Sequence, residues 1–136
     1  MVELVRTQFP HITVVEMEKN LGAVARNFGV RLATTPYVAF ADDDSWWAPG
    51  ALRRASTLFA AHPSLGLIAA RILVGAAQRL DPTCSRMTES PLGRRDVLPG
   101  PSVLGFLACG AVVRRHAFLA AGGFDDVIFF MGEESA

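Results

Sequence analysis

The chain has 136 residues, of which 51% are hydrophobic and 19% are charged, and this describes one folded domain at most, with enough mass for a core. Thirteen basic residues balance thirteen acidic ones, so net charge gives no reason to expect binding to nucleic acid or to an anionic membrane. No window approaches the roughly 18 apolar residues of a membrane span, and the N-terminus lacks the apolar stretch of a signal peptide. Two cysteines without metal-ligand spacing, Cys84 and Cys109, are typical of reduced thiols in a cytoplasmic protein.

The predicted secondary structure alternates between strands and helices. Leu21, Val24, Phe28 and Leu32 follow at steps of 3, 4 and 4 residues, which predicts a helix with these four side chains inward. Residues 37–41 are apolar without alternation, as in a strand that is covered on both faces in a parallel sheet. Further strands are predicted over 11–16, 65–73 and 103–113, and helices over 20–34, 49–61 and 115–121. This order predicts an α/β fold with a mostly parallel, Rossmann-like sheet flanked by helices.

A polar segment rich in proline and glycine, residues 76–101, interrupts this pattern. It is too long for a simple connection, so we expect a long loop of the kind that is either functional or disordered. Three arginine pairs, at 53–54, 94–95 and 114–115, are interpreted as solvated surface rather than as binding patches.

The stretch YVAFADDDSWWAPGAL, from Tyr37 to Leu52, places three carboxylates at the end of an apolar strand. Adjacent like charges repel, and partial burial raises that cost unless a cation is present. In an extended segment Asp42 and Asp44 point to one side and Asp43 to the other, which offers two hard oxygen ligands to Mg²⁺ or Mn²⁺. On spacing alone, a solvated acidic turn that caps the next helix is an equally good interpretation.

An ordered series of short motifs resembles the family 2 glycosyltransferases, which have the GT-A fold. The series reads Asn20-Leu21-Gly22, Ala25-Arg26-Asn27-Phe28-Gly29, the strand that ends in Asp42-Asp43-Asp44, Pro49 and Leu52, Cys109-Gly110, Arg114-Arg115, Phe118, Gly122-Gly123-Phe124-Asp125, and Gly132-Glu133-Glu134. One of these motifs alone would be weak, but their order across residues 12–134 is a strong signal.

The resemblance implies an enzyme that transfers a sugar, with inversion, from a nucleotide-activated donor to the hydroxyl of a sugar, a lipid-linked molecule or another acceptor. It places a divalent metal, Mg²⁺ or Mn²⁺, on Asp42 and Asp44, where the cation would offset charge on the leaving diphosphate. The residues implied in binding the nucleotide sugar are Asn20, Gly22, Arg26, Asp42, Asp43 and Trp46.

The resemblance also implies a catalytic base that takes the proton of the acceptor hydroxyl, and Glu134 stands at that position. Aspartate is common there in the family, and the longer glutamate changes the reach, so Glu133 is a second candidate. An exposed acidic tail is the alternative interpretation of both residues.

Three of the implied binding residues have structural alternatives. Arg26 projects away from the predicted apolar stripe, so a solvated arginine is as good an interpretation as a contact with the donor. Asn20 is also a suitable helix cap. Of Trp46 and Trp47, we expect one to stack on a sugar face and the other to pack beneath the loop.

The family's first two strands, which hold the nucleoside base, have no counterpart here, and the positions that usually follow the base are also missing. We therefore expect residues 1–136 to be a single partial catalytic domain, truncated at both ends, with an uncovered sheet edge and a tendency to self-associate. The competing hypothesis is a non-catalytic remnant that binds nucleotide or a partner protein, and a structural metal-binding domain is a weaker third. The expected location is cytoplasmic, with peripheral attachment at the inner membrane face left open.

Overall fold

The computed structural model describes residues 2–127. The helices are α1 (Val2–Gln8), α2 (Ala25–Leu32), α3 (Ala51–Ala61), α4 (Pro82–Thr88) and α5 (Arg115–Ala120). The strands are β1 (Tyr37–Ala39), β2 (Leu67–Ala69), β3 (Leu73–Val74), β4 (Arg79–Leu80) and β5 (Ala111–Arg114). Short 3₁₀ turns, Gly22–Val24 and Ala108–Gly110, precede α2 and β5.

The central sheet has three strands in the order β1-β5-β2. β5 runs antiparallel to both neighbours, with Val113 opposite Val38 on one side and Val112 opposite Ile68 on the other. The predicted α/β class is therefore observed, but every strand pairing in the described part of the chain is antiparallel, and a mostly parallel sheet is not confirmed. β1 and β2 do run in the same direction, as crossover connections require. The sequence pattern did not indicate that a later strand would lie between them.

Both faces of this sheet are covered. Along β5, Val113 faces a cluster that includes Val30 and Phe40, while Val112 faces Ala55 and Phe59 of α3. β1 is shared in the same way, because its side chains divide between the two clusters. The prediction of an apolar strand covered on both faces is thus confirmed, and the domain has three layers, with α2 and α5 on one side of the sheet and α3 on the other.

The buried face of α2 is not the predicted one. Asn27 and Val30 are buried, whereas Phe28 and Leu32 of the predicted stripe are 39% and 60% exposed. Apolar character alone favours the row of leucine, valine and phenylalanine. The core-facing row instead contains an asparagine, because that asparagine has buried backbone partners (described below).

The N-terminal region differs from the prediction as well. Residues 11–16 form no strand, and Ile12 and Val15 are each 47% exposed. A β-branched run becomes a strand only where a neighbouring strand accepts its backbone hydrogen bonds, and none lies beside it within residues 2–127. The first helix, α1, was not predicted.

The segment 76–101 is ordered rather than a structureless loop. It begins in the β3–β4 hairpin and continues into α4, where the side chain of Asp81 caps the helix by accepting from the amide of Thr83 at 2.8 Å. Cys84 and Met87 bury the inner face of α4. Only the end of the predicted strand over 103–113 is observed as a strand, in β5. Several of the residues before it line a cavity instead.

The arginine pair at the end of β5 is not merely solvated surface. Arg114 donates to the carbonyl oxygens of Phe59, His62 and Leu65, at and beyond the end of α3. Arg115 donates to the last carbonyls of α2, those of Val30 and Arg31, at 3.0 and 2.9 Å. The two arginines therefore fasten helices from opposite faces of the sheet to the end of β5.

Candidate active site

The carboxyl ends of β1 and β2 meet the start of β5 at one edge of the sheet. The amide of Phe40 donates to Ala111 O at 3.0 Å, and the amide of Ala70 donates to Gly110 O at 2.7 Å. The three aspartates follow β1 directly, so they lie at the edge where open α/β sheets bind ligands.

The aspartates form a tight turn and are not extended. The amide of Ser45 donates to Asp42 O at 3.2 Å, while Ser45 Oγ accepts from the Asp42 amide at 2.8 Å and donates to Asp42 O at 3.1 Å. Asp43 and Asp44 occupy the exposed centre of this turn. The expected alternation of side chains is therefore wrong, because Ser45 closes the chain on itself before a strand can continue.

Arg26 lies at the site and contacts the first aspartate. Its Nη2 donates to Asp42 Oδ1 at 2.7 Å, and the two side chains are 27% and 40% exposed. The guanidinium carbon also lies 5.9 Å from the centre of the Phe124 ring. Arg26 is thus placed beside the aspartates rather than in bulk solvent, and its contact with a donor stays a prediction.

Cys109 shares this electrostatic environment, although sequence reasoning gave it no role. Burial is the first cause that raises the pKa of its thiol, followed by the negative charge of Asp42, and the charge of Asp44 raises it further. The positive charge of Arg26 acts in the opposite direction. One thiol thus lies within electrostatic range of all three groups, two of which, Arg26 and Asp42, are in direct contact. The motif Cys109-Gly110 was the signal that could have indicated this.

The two tryptophans after the aspartates divide as expected in their packing. Trp47 packs against the cluster that contains Phe59, and its indole Nε1 donates to Phe40 O at 3.0 Å. Trp46 is 84% exposed. Trp46 is therefore the ring available to a ligand, and stacking on a sugar remains a prediction.

The Asn20-Leu21-Gly22 motif is a turn that leads into α2. Asn20 Oδ1 accepts from the Gly22 amide at 2.9 Å, and Gly22 has a φ of 57°, which glycine adopts without strain. Asn20 therefore closes a turn and does not cap a helix, since Leu21 is the N-cap of the 3₁₀ turn and Val24 is the N-cap of α2. Binding of the donor by Asn20 or Gly22 stays a prediction.

Asn27 is a structural residue that sequence reasoning passed over. It is 4% exposed, its Nδ2 donates to Phe124 O at 2.8 Å, and its Oδ1 accepts from Phe124 N at 2.9 Å. Gly123 leaves the room for this pair, since a Cβ there would lie 2.5 Å from Asn27 Oδ1. The motif Ala25-Arg26-Asn27-Phe28-Gly29 is therefore in direct contact with the motif Gly122-Gly123-Phe124-Asp125.

The described residues offer a cation two carboxylates and no complete cage. Within residues 2–127 no group of three histidine, cysteine, aspartate or glutamate side chains is arranged to hold a metal. In that range, the side-chain carboxylate of Asp44 and the Oδ2 atom of Asp42 accept no hydrogen bond from the protein. Two carboxylates with open positions suit Mg²⁺, which keeps several waters and takes its other oxygens from phosphates. The candidate bases, Glu133 and Glu134, lie outside the described residues.

An arginine and carboxylates at the edge where the strands of an α/β domain end are the arrangement found in α/β domains that bind small charged ligands. The family model described as glycosyl transferase family 2 matches residues 1–120, and the chain belongs to that family. No match was found among curated proteins or among solved structures. Membership implies the GT-A fold, with which the α/β class agrees, although the sheet pairings described above are antiparallel. No helix within residues 2–127 is long and apolar enough to cross a membrane.

Proposed function

We propose that this chain takes part in an inverting transfer of a sugar from a nucleotide-activated donor to an acceptor hydroxyl. The observation that carries the proposal is the ion pair between Arg26 and Asp42, the first residue of the turn that also contains Asp44, in a family 2 glycosyltransferase chain. A guanidinium suits phosphate oxygens, and carboxylates suit a hard cation, so the set matches a sugar diphosphate with its counterion.

Asp42 and Asp44 are the residues that would hold Mg²⁺ or Mn²⁺. When bound, the cation supplies Lewis-acid stabilisation of the charge that develops on the leaving diphosphate. Arg26 orients Asp42 by holding one carboxylate oxygen at 2.7 Å, which leaves the second oxygen available. The same guanidinium, 27% exposed, has further N–H groups that can donate to a donor phosphate.

The remaining residues of the proposed site bind the sugar of the donor and act as the catalytic base. The exposed ring of Trp46 would pack on an apolar sugar face, and Asp43 would assist in donor binding from the same turn. Glu134, or Glu133 in its place, would accept the proton of the acceptor hydroxyl as it attacks the sugar.

An assay that measures release of the nucleoside diphosphate from the donor tests this proposal. Wild-type protein would be offered a panel of nucleotide sugars with simple alkyl glycosides as acceptors. Glu134→Gln should lower the rate about 10²-fold or more while donor binding persists, because the base contacts only the acceptor. Glu133→Gln is the matched control. If it alone inactivates the enzyme, Glu133 is the base, and wild-type protein that binds nucleotide but never turns over would favour a non-catalytic binding role.

The cytoplasmic location and self-association stay predictions. Each of the outer strands of the central sheet, β1 and β2, has one paired edge within the described residues. Unpaired strand edges are sites where a second chain can add, and this is compatible with self-association.

A further inference from the structure

A cavity of about 580 Å³ lies between β2, α4 and the segment 98–106. Its lining is mostly apolar and includes Leu67, Met87 and Phe106. This volume is in the range of cavities that enclose a small organic ligand. The lining has no aspartate or glutamate among the residues that the structure describes.

A second cavity, of about 590 Å³, adjoins the first on the α3 side of the sheet. The two share Leu58, Ile68, Ala70 and Arg71 in their linings. The second cavity adds Arg54, the fourth residue of α3, and it too lacks an acidic lining residue in the described part of the chain.

Arg54 and Arg71 differ from the arginines with structural roles. A carboxylate accepts a hydrogen bond from Arg26, and backbone carbonyls at or near helix ends accept from Arg114 and Arg115. The side chains of Arg54 and Arg71 form no hydrogen bond or ion pair within residues 2–127. Two guanidinium groups on one cavity without a compensating carboxylate favour an anion, and guanidinium geometry suits phosphate oxygens.

The arginine-bearing cavity reaches the loop that carries the aspartates. Trp47 lines it, and the indole of Trp47 is bonded to Phe40 O, two residues before Asp42. The second cavity is therefore lined both by the two arginines and by Trp47 of the loop that follows the aspartates.

We propose that these adjoining cavities bind an amphiphilic anion, with an apolar chain in the first and a phosphate group held by Arg54 and Arg71 in the second. That this ligand is the acceptor, or its anchor, rests on the proposed function. The charge complementarity of the arginines is what separates this occupant from a neutral apolar molecule or a second copy of the chain.

Calorimetry without metal or nucleotide tests the binding. The probes are farnesyl phosphate below its micelle-forming concentration, farnesol, and inorganic phosphate. Farnesyl phosphate should bind at least about tenfold more tightly than either of the others, because each of them lacks one half of the ligand. Equal binding of farnesol would overturn the phosphate site, and equal binding of inorganic phosphate would overturn the chain site.

Matched variants locate the site. Arg54→Gln and Arg71→Gln should each weaken farnesyl phosphate binding about tenfold, whereas Arg53→Gln, whose residue lines neither cavity, should not. Leu104→Glu should weaken binding of the chain, with Leu92→Glu as control. Both leucines are more than half exposed, so neither variant should unfold the protein, and only Leu104 lines the apolar cavity.

Equal losses in a variant and its control would overturn the proposal, since binding would then follow overall charge or surface polarity. Asp44→Asn should leave farnesyl phosphate binding intact. The amphiphile site and the metal–nucleotide site can therefore fail separately, because each is measured without the ligand of the other.

Discussion

The side chain of Asn27 pairs with both backbone groups of Phe124, 97 residues further along the chain, through hydrogen bonds of 2.8 and 2.9 Å. The preceding residue, Arg26, contacts Asp42 at 2.7 Å. Two neighbouring residues of α2 therefore hold the aspartate turn and the Gly-Gly-Phe segment in a fixed relation. The helix is the element that connects the two parts of the candidate site.

Replacing Asn27 should cost much more stability than replacing the other asparagine. Asn27→Ala leaves the amide and the carbonyl of Phe124 unpaired in a buried position, and we expect about 2–4 kcal/mol less free energy of unfolding. Asn20→Ala removes an exposed turn hydrogen bond and should cost about 1 kcal/mol or less. Urea denaturation measures both. Similar losses would contradict the structural role assigned to Asn27.

The glycines before Phe124 provide a second matched comparison. Gly122 has a φ of 96°, and a methyl group added there would meet no atom within 4 Å, so Gly122→Ala should cost about 1–2 kcal/mol through backbone strain alone. Gly123→Ala adds a clash with Asn27 Oδ1 and should cost at least about 1 kcal/mol more. In the Asn27→Ala background this excess should disappear, and thermal denaturation of the double mutant checks it.

The two arginines at the end of β5 should both contribute to stability, unlike an ordinary surface arginine. Arg114→Met removes donors to three carbonyls and should cost about 2–3 kcal/mol, and Arg115→Met removes donors to two and should cost about 1 kcal/mol. Arg95→Met is the control and should change the free energy of unfolding by less than about 0.5 kcal/mol. Indistinguishable values for all three would refute the helix-fastening role.

Alkylation of Cys109 reports whether the aspartates lie near the start of β5. Burial and the charges of Asp42 and Asp44 raise the pKa of this thiol, so less of the reactive thiolate is present at a given pH. Asp42→Asn removes one of these charges and should lower the pKa, which moves the pH profile of iodoacetamide labelling toward lower pH. Asp96→Asn should leave it unchanged. Peptide mass spectrometry separates Cys109 from the buried Cys84.

The sequence indicated the α/β class and the strand before the aspartates because those features are local. The position of β5 between β1 and β2 depends on contacts between distant segments, as does the buried row of α2. Asn27 looks like a polar surface residue until Phe124 is placed beside it. Apolar periodicity therefore selected the wrong face of that helix.

In the candidate site, too, some features were predicted from the sequence and others were not. The resemblance implied that the aspartates and Arg26 serve one binding site, with a solvated Arg26 as the alternative, and the structure brings Arg26 to Asp42. The turn closed by Ser45 was missed, because extended geometry was assumed up to Asp44. The roles of Arg114 and Arg115 were missed because helix ends are completed by residues far away in the chain.

Metal-dependent binding of a nucleoside diphosphate tests the central claim most directly. Calorimetry of the wild-type chain with Mn²⁺ and UDP, GDP or ADP should show binding that requires the metal. Asp44→Asn should abolish it, while Asp96→Asn should not, because both side chains are exposed and only Asp44 belongs to the turn beside Arg26 and Cys109. Equal metal-dependent binding in wild type and Asp44→Asn would contradict the assignment of the aspartates as the metal and donor site.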